Sequence, residues 1–289
     1  EWRAKTRAEL GLSTVPERVV TGAGHQAFFW HPGILAKFSL ARGLAGADGT
    51  VVHLVVDHDL NEPALVRVPV RASEDGRILD AVTHRFAPPA PGRPAMAQAL
   101  FEPRPYEGPE PALLSVRCGL IAAQNALSVA ARRMAPHGHT SNAAMQVAAA
   151  LSSLMAPWVG ATHLVADSDL LSTSFGKALV DEMRRNPRRC AESFNAALAL
   201  DPHAARPLRI ADDVELPLWS MSAEGARLRV MARDLAAAPR DRRWLPRAFL
   251  LSAMVRLGLC DRFVHGLGAQ RYERVTEAWF GEWLGVTLP

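Results

Sequence analysis

Thr50-Val51-Val52-His53-Leu54-Val55-Val56, followed at once by Asp57-His58-Asp59, decides the fold class of this chain. A run that is apolar and β-branched almost throughout, without alternation, is the pattern of a strand buried on both faces. Three other short runs share it: residues 17–21 (ERVVT), 161–166 (ATHLVA) and 262–265 (RFVH). Each is followed by a polar or glycine-containing turn. Three then meet helical periodicity, over residues 32–44, 174–185 and 270–284. Strand, loop and helix repeated in this way predict an α/β fold with a Rossmann-like, doubly wound parallel sheet.

Two regions break the rhythm. Residues 63–87 alternate around Ser73-Glu74-Asp75-Gly76 and predict an antiparallel hairpin, and residues 216–231 predict a second with Glu224-Gly225 at its turn. Residues 88–111 hold eight prolines, too many for regular structure, and read as a linker or surface loop. Residues 112–134 and 141–155 are rich in Ala and Leu and predict a helix pair. The expected organisation is a single domain over 1–289, with a hairpin and proline-rich insertion at 63–110 and a helical layer at 111–157.

Of 289 residues, 49% are apolar and 21% charged, which supports a sizeable core and excludes a disordered chain. Lys plus Arg exceed Asp plus Glu by 33 to 29, and the clusters at 184–189 and 240–243 are short. Nucleic acid is therefore not an expected partner. Cys118, Cys190 and Cys260 are far apart, which excludes a disulfide framework or zinc ribbon and suits a reducing compartment. No uninterrupted apolar run of about 18 residues is present, and Glu1, Arg3 and Lys5 make the first residues charged, with no apolar signal core. A cytoplasmic protein with a small-molecule substrate is expected, without membrane contact and with room for homo-oligomers.

Three segments carry candidate chemistry. In the first, Thr21-Gly22-Ala23-Gly24-His25-Gln26 reads as the turn after a strand and leads through His31, Pro32 and Gly33 to a helix bearing Lys37. Glycines admit close backbone approach, and free N–H groups at a helix start attract an anion. Gly24, Gln26, Gly33 and Lys37 are candidates for cofactor binding, and His25 and His31 for proton transfer or phosphate contact. The alternative is a glycine turn with locally packed histidines. In the second, Asp57, His58 and Asp59 follow a buried strand, where they would orient an amine or hold a general base. The alternative is a solvated turn. Asp167-Ser168-Asp169 repeats the theme after the third strand. In the third, His265-Gly266-Leu267-Gly268 joins a strand to a helix, the setting of a phosphate-cradling loop. Upstream, Arg247 offers a fork to a carboxylate or phosphate, or is a surface residue. No metal site is expected, and no Gly-x-Ser-x-Gly, P-loop or His-Glu-x-x-His pattern occurs.

The order of these segments resembles the cysteine-adding enzymes of bacillithiol synthesis. Gly24-His25-Gln26 with Phe29 to Gly33 is similar to that family's Thr-Gly-Gln-Gln…Phe-x-Gly-Pro segment. Val56-Asp57-His58-Asp59 is similar to its Glu-Asp-His-Asp segment, and His265-Gly266-Leu267-Gly268 to its late Gly-Gly-Pro-Gly-Glu loop. Leu245-Pro246-Arg247 resembles its Arg-Pro-Leu stretch. His25 replaces one of the paired glutamines, and Ala269 stands in place of the late glutamate. The resemblance implies a short, divergent relative without the family's C-terminal coiled coil, on a core related to nucleotidyltransferases and class I synthetases. In those folds a His/Gly motif holds a nucleotide phosphate, and His25 and His31 would be its counterparts.

The expected function is that of a ligase or transferase of the cysteine-adding type. It would bind a nucleotide (ATP or ADP) or another anionic small molecule and join an amine or amino acid to a second substrate. Two alternatives stand beside it: a non-catalytic ligand-binding or scaffold protein on the same fold, and a metal-dependent hydrolase using Asp57, His58, Asp59 and one of His25 or His31.

Overall fold

A computed structural model describes residues 1–29, 32–73, 79–135, 142–223 and 225–289. His31, residues 74–76 of the first hairpin turn and Glu224 of the second lie outside the described residues. The chain begins with α1 (Trp2–Glu9), β1 (Val20–Gln26), α2 (Pro32–Ala45), β2 (Thr50–Val56), β3 (Leu65–Arg71) and β4 (Leu79–Arg85). It continues through α3 (Leu114–Met134), α4 (Ala143–Val159), β5 (His163–Ala166), α5 (Asp167–Leu170), α6 (Ser174–Arg185) and α7 (Pro187–Ala197). Then come β6 (Glu215–Met221), β7 (Arg227–Met231), α8 (Ala232–Ala237), β8 (Leu245–Pro246), α9 (Ala248–Met254), β9 (Arg262–Val264) and α10 (Gln270–Leu284).

The fold is mixed α/β and Rossmann-like. Its principal sheet is all parallel, in the order β5-β2-β1-β9. β1 pairs with β9 in the register Thr21↔Arg262, Gly22↔Phe263 and Ala23↔Val264. The chain starts at β1, moves outward to β2 and β5, and returns to the opposite side of β1 as β9. The direction of winding therefore reverses between β1 and β9. In open α/β sheets that switch point, at the carboxyl ends of the strands, is where a crevice for ligands forms.

By internal packing the chain forms two compact units. The first comprises residues 1–24, 36–54 and 165–289, and the second residues 25–35 and 55–164. In the first unit Asp261 ties the switch-point strands to α1. Its carboxylate accepts from the Val20 N–H at 2.8 Å and pairs with Arg7 at 2.9 Å and Arg3 at 3.1 Å. Burial pushes its pKa up, but these bonds and charges outweigh that and hold it below the usual range. An antiparallel sheet, β7-β6-β8, carries the second hairpin.

In the second unit β3 and β4 pair antiparallel from Leu65↔Arg85 to Arg71↔Leu79. Helices α3 and α4 pack through Leu120, Ala123, Leu127, Val147, Ala150 and Leu151, sharing a core with Val68, Val70 and Phe86 of the hairpin. Asn142 caps α4, its Oδ1 accepting from the Met145 N–H. The proline-rich segment has one short 3₁₀ turn, Ala95–Ala97, among its described residues.

The expected strand over 17–21 requires one correction. β1 begins at Val20 and continues through Gly22, Ala23 and Gly24 to Gln26, so the glycine segment is strand and not the turn after it. A Cβ at Gly22 would lie 2.6 Å from Cys260 Sγ and 2.9 Å from the Phe263 ring. One at Gly24 would lie 3.2 Å from both Leu54 and Phe263. The glycines make room for neighbouring strands.

Candidate functional site

The first unit brings three candidates to the carboxyl ends of β1 and β9. Lys37 stands in the second turn of α2, and its Nζ donates to the Gly24 carbonyl oxygen at 2.8 Å. The amine is half-buried, and desolvation lowers its pKa. His265 follows β9 directly. Its Nε2 lies 3.2 Å from Glu273 Oε1, and its ring meets Phe263 edge-on at 4.5 Å. Burial first, and the charges of Arg256 and Lys37 after it, push His265 down to about 4. It is therefore neutral at physiological pH. Burial lifts Glu273 above the usual carboxylate range, against the Arg256 guanidinium that binds its other oxygen.

The loop after His265 completes this edge. Gly266 and Gly268 are exposed, and a Cβ at either would meet nothing within 4 Å. Neither has a positive φ. Packing and conformation do not demand glycine at these two positions, unlike Gly24, and their backbone is open to close approach. A cavity of about 280 Å³ runs beside β9 and is lined by Phe263, His265, Glu273, Arg256 and Cys260 among others. Burial pushes the Cys260 thiol up to about 12, so it is inert as a nucleophile.

The second unit brings the first two sequence segments together. Gln26 Nε2 donates to Asp59 Oδ2 at 3.2 Å, and Asn61 Nδ2 donates to the Ala27 carbonyl oxygen at 2.6 Å. The Asp57 and Asp59 carbonyl oxygens accept from the Met96 and Ala95 N–H groups, fixing the turn from below. Asp57 and His58 are buried, at 1% and 5% exposure. The Asp57-His58-Asp59 segment is therefore a built turn and not the solvated one of the alternative reading. His25 stacks edge-on against Phe28 at 4.9 Å. Gly33 is exposed in the first turn of α2.

Arg247 is placed elsewhere. At the start of α9 its Nη2 donates to Glu215 Oε1 at 2.6 Å, and its guanidinium lies 4.1 Å from the Trp219 ring centroid. Burial raises the Glu215 pKa, but the Arg247 bond and charge outweigh that and hold it below the usual range. The fork expected for a ligand is taken by a carboxylate of the chain itself. Arg243, which the sequence did not single out, holds Ser168 Oγ at 2.6 Å and Asp169 at 2.8 Å. Arg256 and Glu273 were likewise not singled out; Glu273 lies eight residues beyond His265, in the first turn of α10, a spacing that carries no signal by itself.

No protein-family model matches the chain, and no curated protein matches it.

Proposed function

We propose that this chain is an enzyme of the ligase or transferase type that binds an anionic small molecule, a nucleotide first among them, at the switch point between β1 and β9. The amine-joining activity is the one implied by the resemblance to the cysteine-adding enzymes of bacillithiol synthesis. The observation that carries the reading is Lys37, a half-buried cation held at the Gly24 carbonyl oxygen on the carboxyl edge of the sheet. Among the described residues Lys37 Nζ donates to Gly24, which leaves two further N–H donors, and the open backbone at Gly266 and Gly268 supplies the adjoining wall. Neutral His265 carries one hydrogen-bond donor and one acceptor on its ring, which suits it to contact a ligand without adding charge. Within the second unit, Asp59, held by Gln26, and the buried Asp57 are carboxylates of the kind that orient an ammonium group.

Calorimetric titration with ATP and with ADP tests the proposal. Replacing Lys37 by Gln removes one charge-assisted contact, worth about 1.5–3 kcal/mol, or roughly ten- to a hundredfold in Kd. Lys37→Gln should weaken binding by that factor, whereas Arg243→Gln should leave it within about twofold. Absence of nucleotide binding by the unmodified chain, or equal affinity in Lys37→Gln, would defeat the proposal. Binding without turnover of any amine or amino acid would favour the scaffold reading.

A further inference from the structure

Helix α9 runs on into a π-turn, Val255–Leu259, in which the Cys260 N–H reaches back five residues to the Val255 carbonyl oxygen at 2.8 Å. The turn carries Arg256, whose guanidinium binds Glu273 Oε2 and, at 2.7 Å, Glu277 Oε1 on α10. The other Glu273 oxygen, Oε1, lies 3.2 Å from His265 Nε2. Both atoms are closed off from solvent, and neither has a hydrogen-bond partner among the described residues, each other included. Two atoms at this distance bond when one carries a proton aimed at the other. Without one they are two acceptors converging on the same space, and buried acceptors call for a donor. Both residues line the cavity of about 280 Å³ beside β9, as does Phe263.

We propose that the β9 cavity binds a small primary amine as its ammonium ion, one N–H donated to Glu273 Oε1 and one to His265 Nε2, the ring proton sitting on Nδ1. This deepens the proposed function, on which it rests for the role of the amine, by naming the groups that take it. An ammonium nitrogen about 2.9 Å from each acceptor satisfies both at once, which a hydroxyl with its single donor cannot do. Local charge agrees. Arg256 faces two carboxylates, Glu273 and Glu277, which leaves one negative charge for the ligand. The other charged groups of the lining are engaged elsewhere: Asp261 with Arg3 and Arg7, and Arg262 with the Leu44 carbonyl oxygen. Arg256 and Lys37, the cations whose charge reaches His265, disfavour a proton on the ring and so keep an acceptor there. Burial lifts the Glu273 pKa, and Arg256 and Ser252 work against that lift, as a bound ammonium would. The volume lies below the roughly 300–1,000 Å³ of pockets for drug-sized ligands. The occupant is therefore a small amine, its alkyl part against the Phe263 ring, and not a nucleotide.

NMR titration of the full chain labelled with ¹⁵N-histidine tests this, with n-butylamine as the probe. The His265 signal, assigned by its loss in His265→Gln, should show Nε2 without a proton and should move saturably with n-butylamine. n-Butanol lacks the charge and tetramethylammonium lacks N–H donors, so both should bind at least about tenfold more weakly. Glu273→Gln should weaken n-butylamine about ten- to a hundredfold. Glu277→Gln should weaken it only about threefold, because Glu277 is 48% exposed and acts through charge alone. Should Glu273→Gln not fold, the contrast between n-butylamine and n-butanol in the unmodified chain decides. No saturable shift, an equal shift with n-butanol, an Nε2 that carries its proton, or unchanged affinity in a folded Glu273→Gln would overturn the inference. The titration is run without nucleotide. ATP binding with no amine binding therefore overturns this inference and leaves the switch-point site standing, and amine binding with no ATP binding does the reverse.

Discussion

At the scale of single residues, His265 has the sharpest consequence. Its folded pKa of about 4 lies below the unfolded value of about 6.5. Between those values the unfolded chain binds a proton that the folded chain refuses, so stability falls as pH drops through the window. The full difference is about 3 kcal/mol, the order set by 1.4 kcal/mol per pH unit. Glu273, raised by burial, acts in the opposite sense, stabilising at low pH and losing that contribution as pH rises through its folded pKa. Urea midpoints across about pH 7 to 4 should therefore fall more steeply for the unmodified chain than for His265→Gln. Parallel curves would show that His265 titrates alike in both states. The histidine was legible in the sequence as a strand-end residue before a glycine loop. Its partners were not, because Arg256 and Glu273 reach it only once the turn before β9 and helix α10 are in place.

At the scale of elements, β1 and the loop after β9 use glycine for different reasons, and that difference can be measured. Gly22→Ala forces a methyl group against Cys260 Sγ at 2.6 Å and the Phe263 ring at 2.9 Å. Overpacking of this kind should cost about 1–3 kcal/mol. Gly266→Ala enters open space at an ordinary φ and should stay within about 0.5 kcal/mol. Chemical denaturation of both variants checks the contrast, and equal losses would remove the distinction between a packing glycine and an approach glycine. The same contrast explains what could be read beforehand. β2 matches its expected bounds because an unbroken β-branched run is a local signal. α6 and α10 match as well, since helical periodicity is also local. β1 was displaced because glycine reads locally as a turn, whereas its reason for being there is Phe263 and Cys260, more than 200 residues away along the chain. Arg247 follows the same logic: a free fork in sequence, it is engaged by Glu215 once β6 and α9 fold together.

At the scale of the whole molecule, strand order creates the switch-point site. The sequence of windings, outward from β1 to β5 and back to β9, creates one reversal point in the parallel sheet, and Lys37, His265 and the Gly266–Gly268 loop belong to it. The chain has three lysines, Lys5, Lys37 and Lys177, so incorporation of ¹³C-labelled lysine gives each a separate NMR probe at its Cε. The label leaves all three Nζ–H donors of Lys37 in place. Titration of the labelled protein with ATP is the most direct test of the switch-point site. The Lys37 signal should move saturably, in step with the calorimetric affinity, while Lys5 and Lys177 stay in place. A Lys37 signal that does not move while ATP binds, or three signals that drift together, would contradict the account.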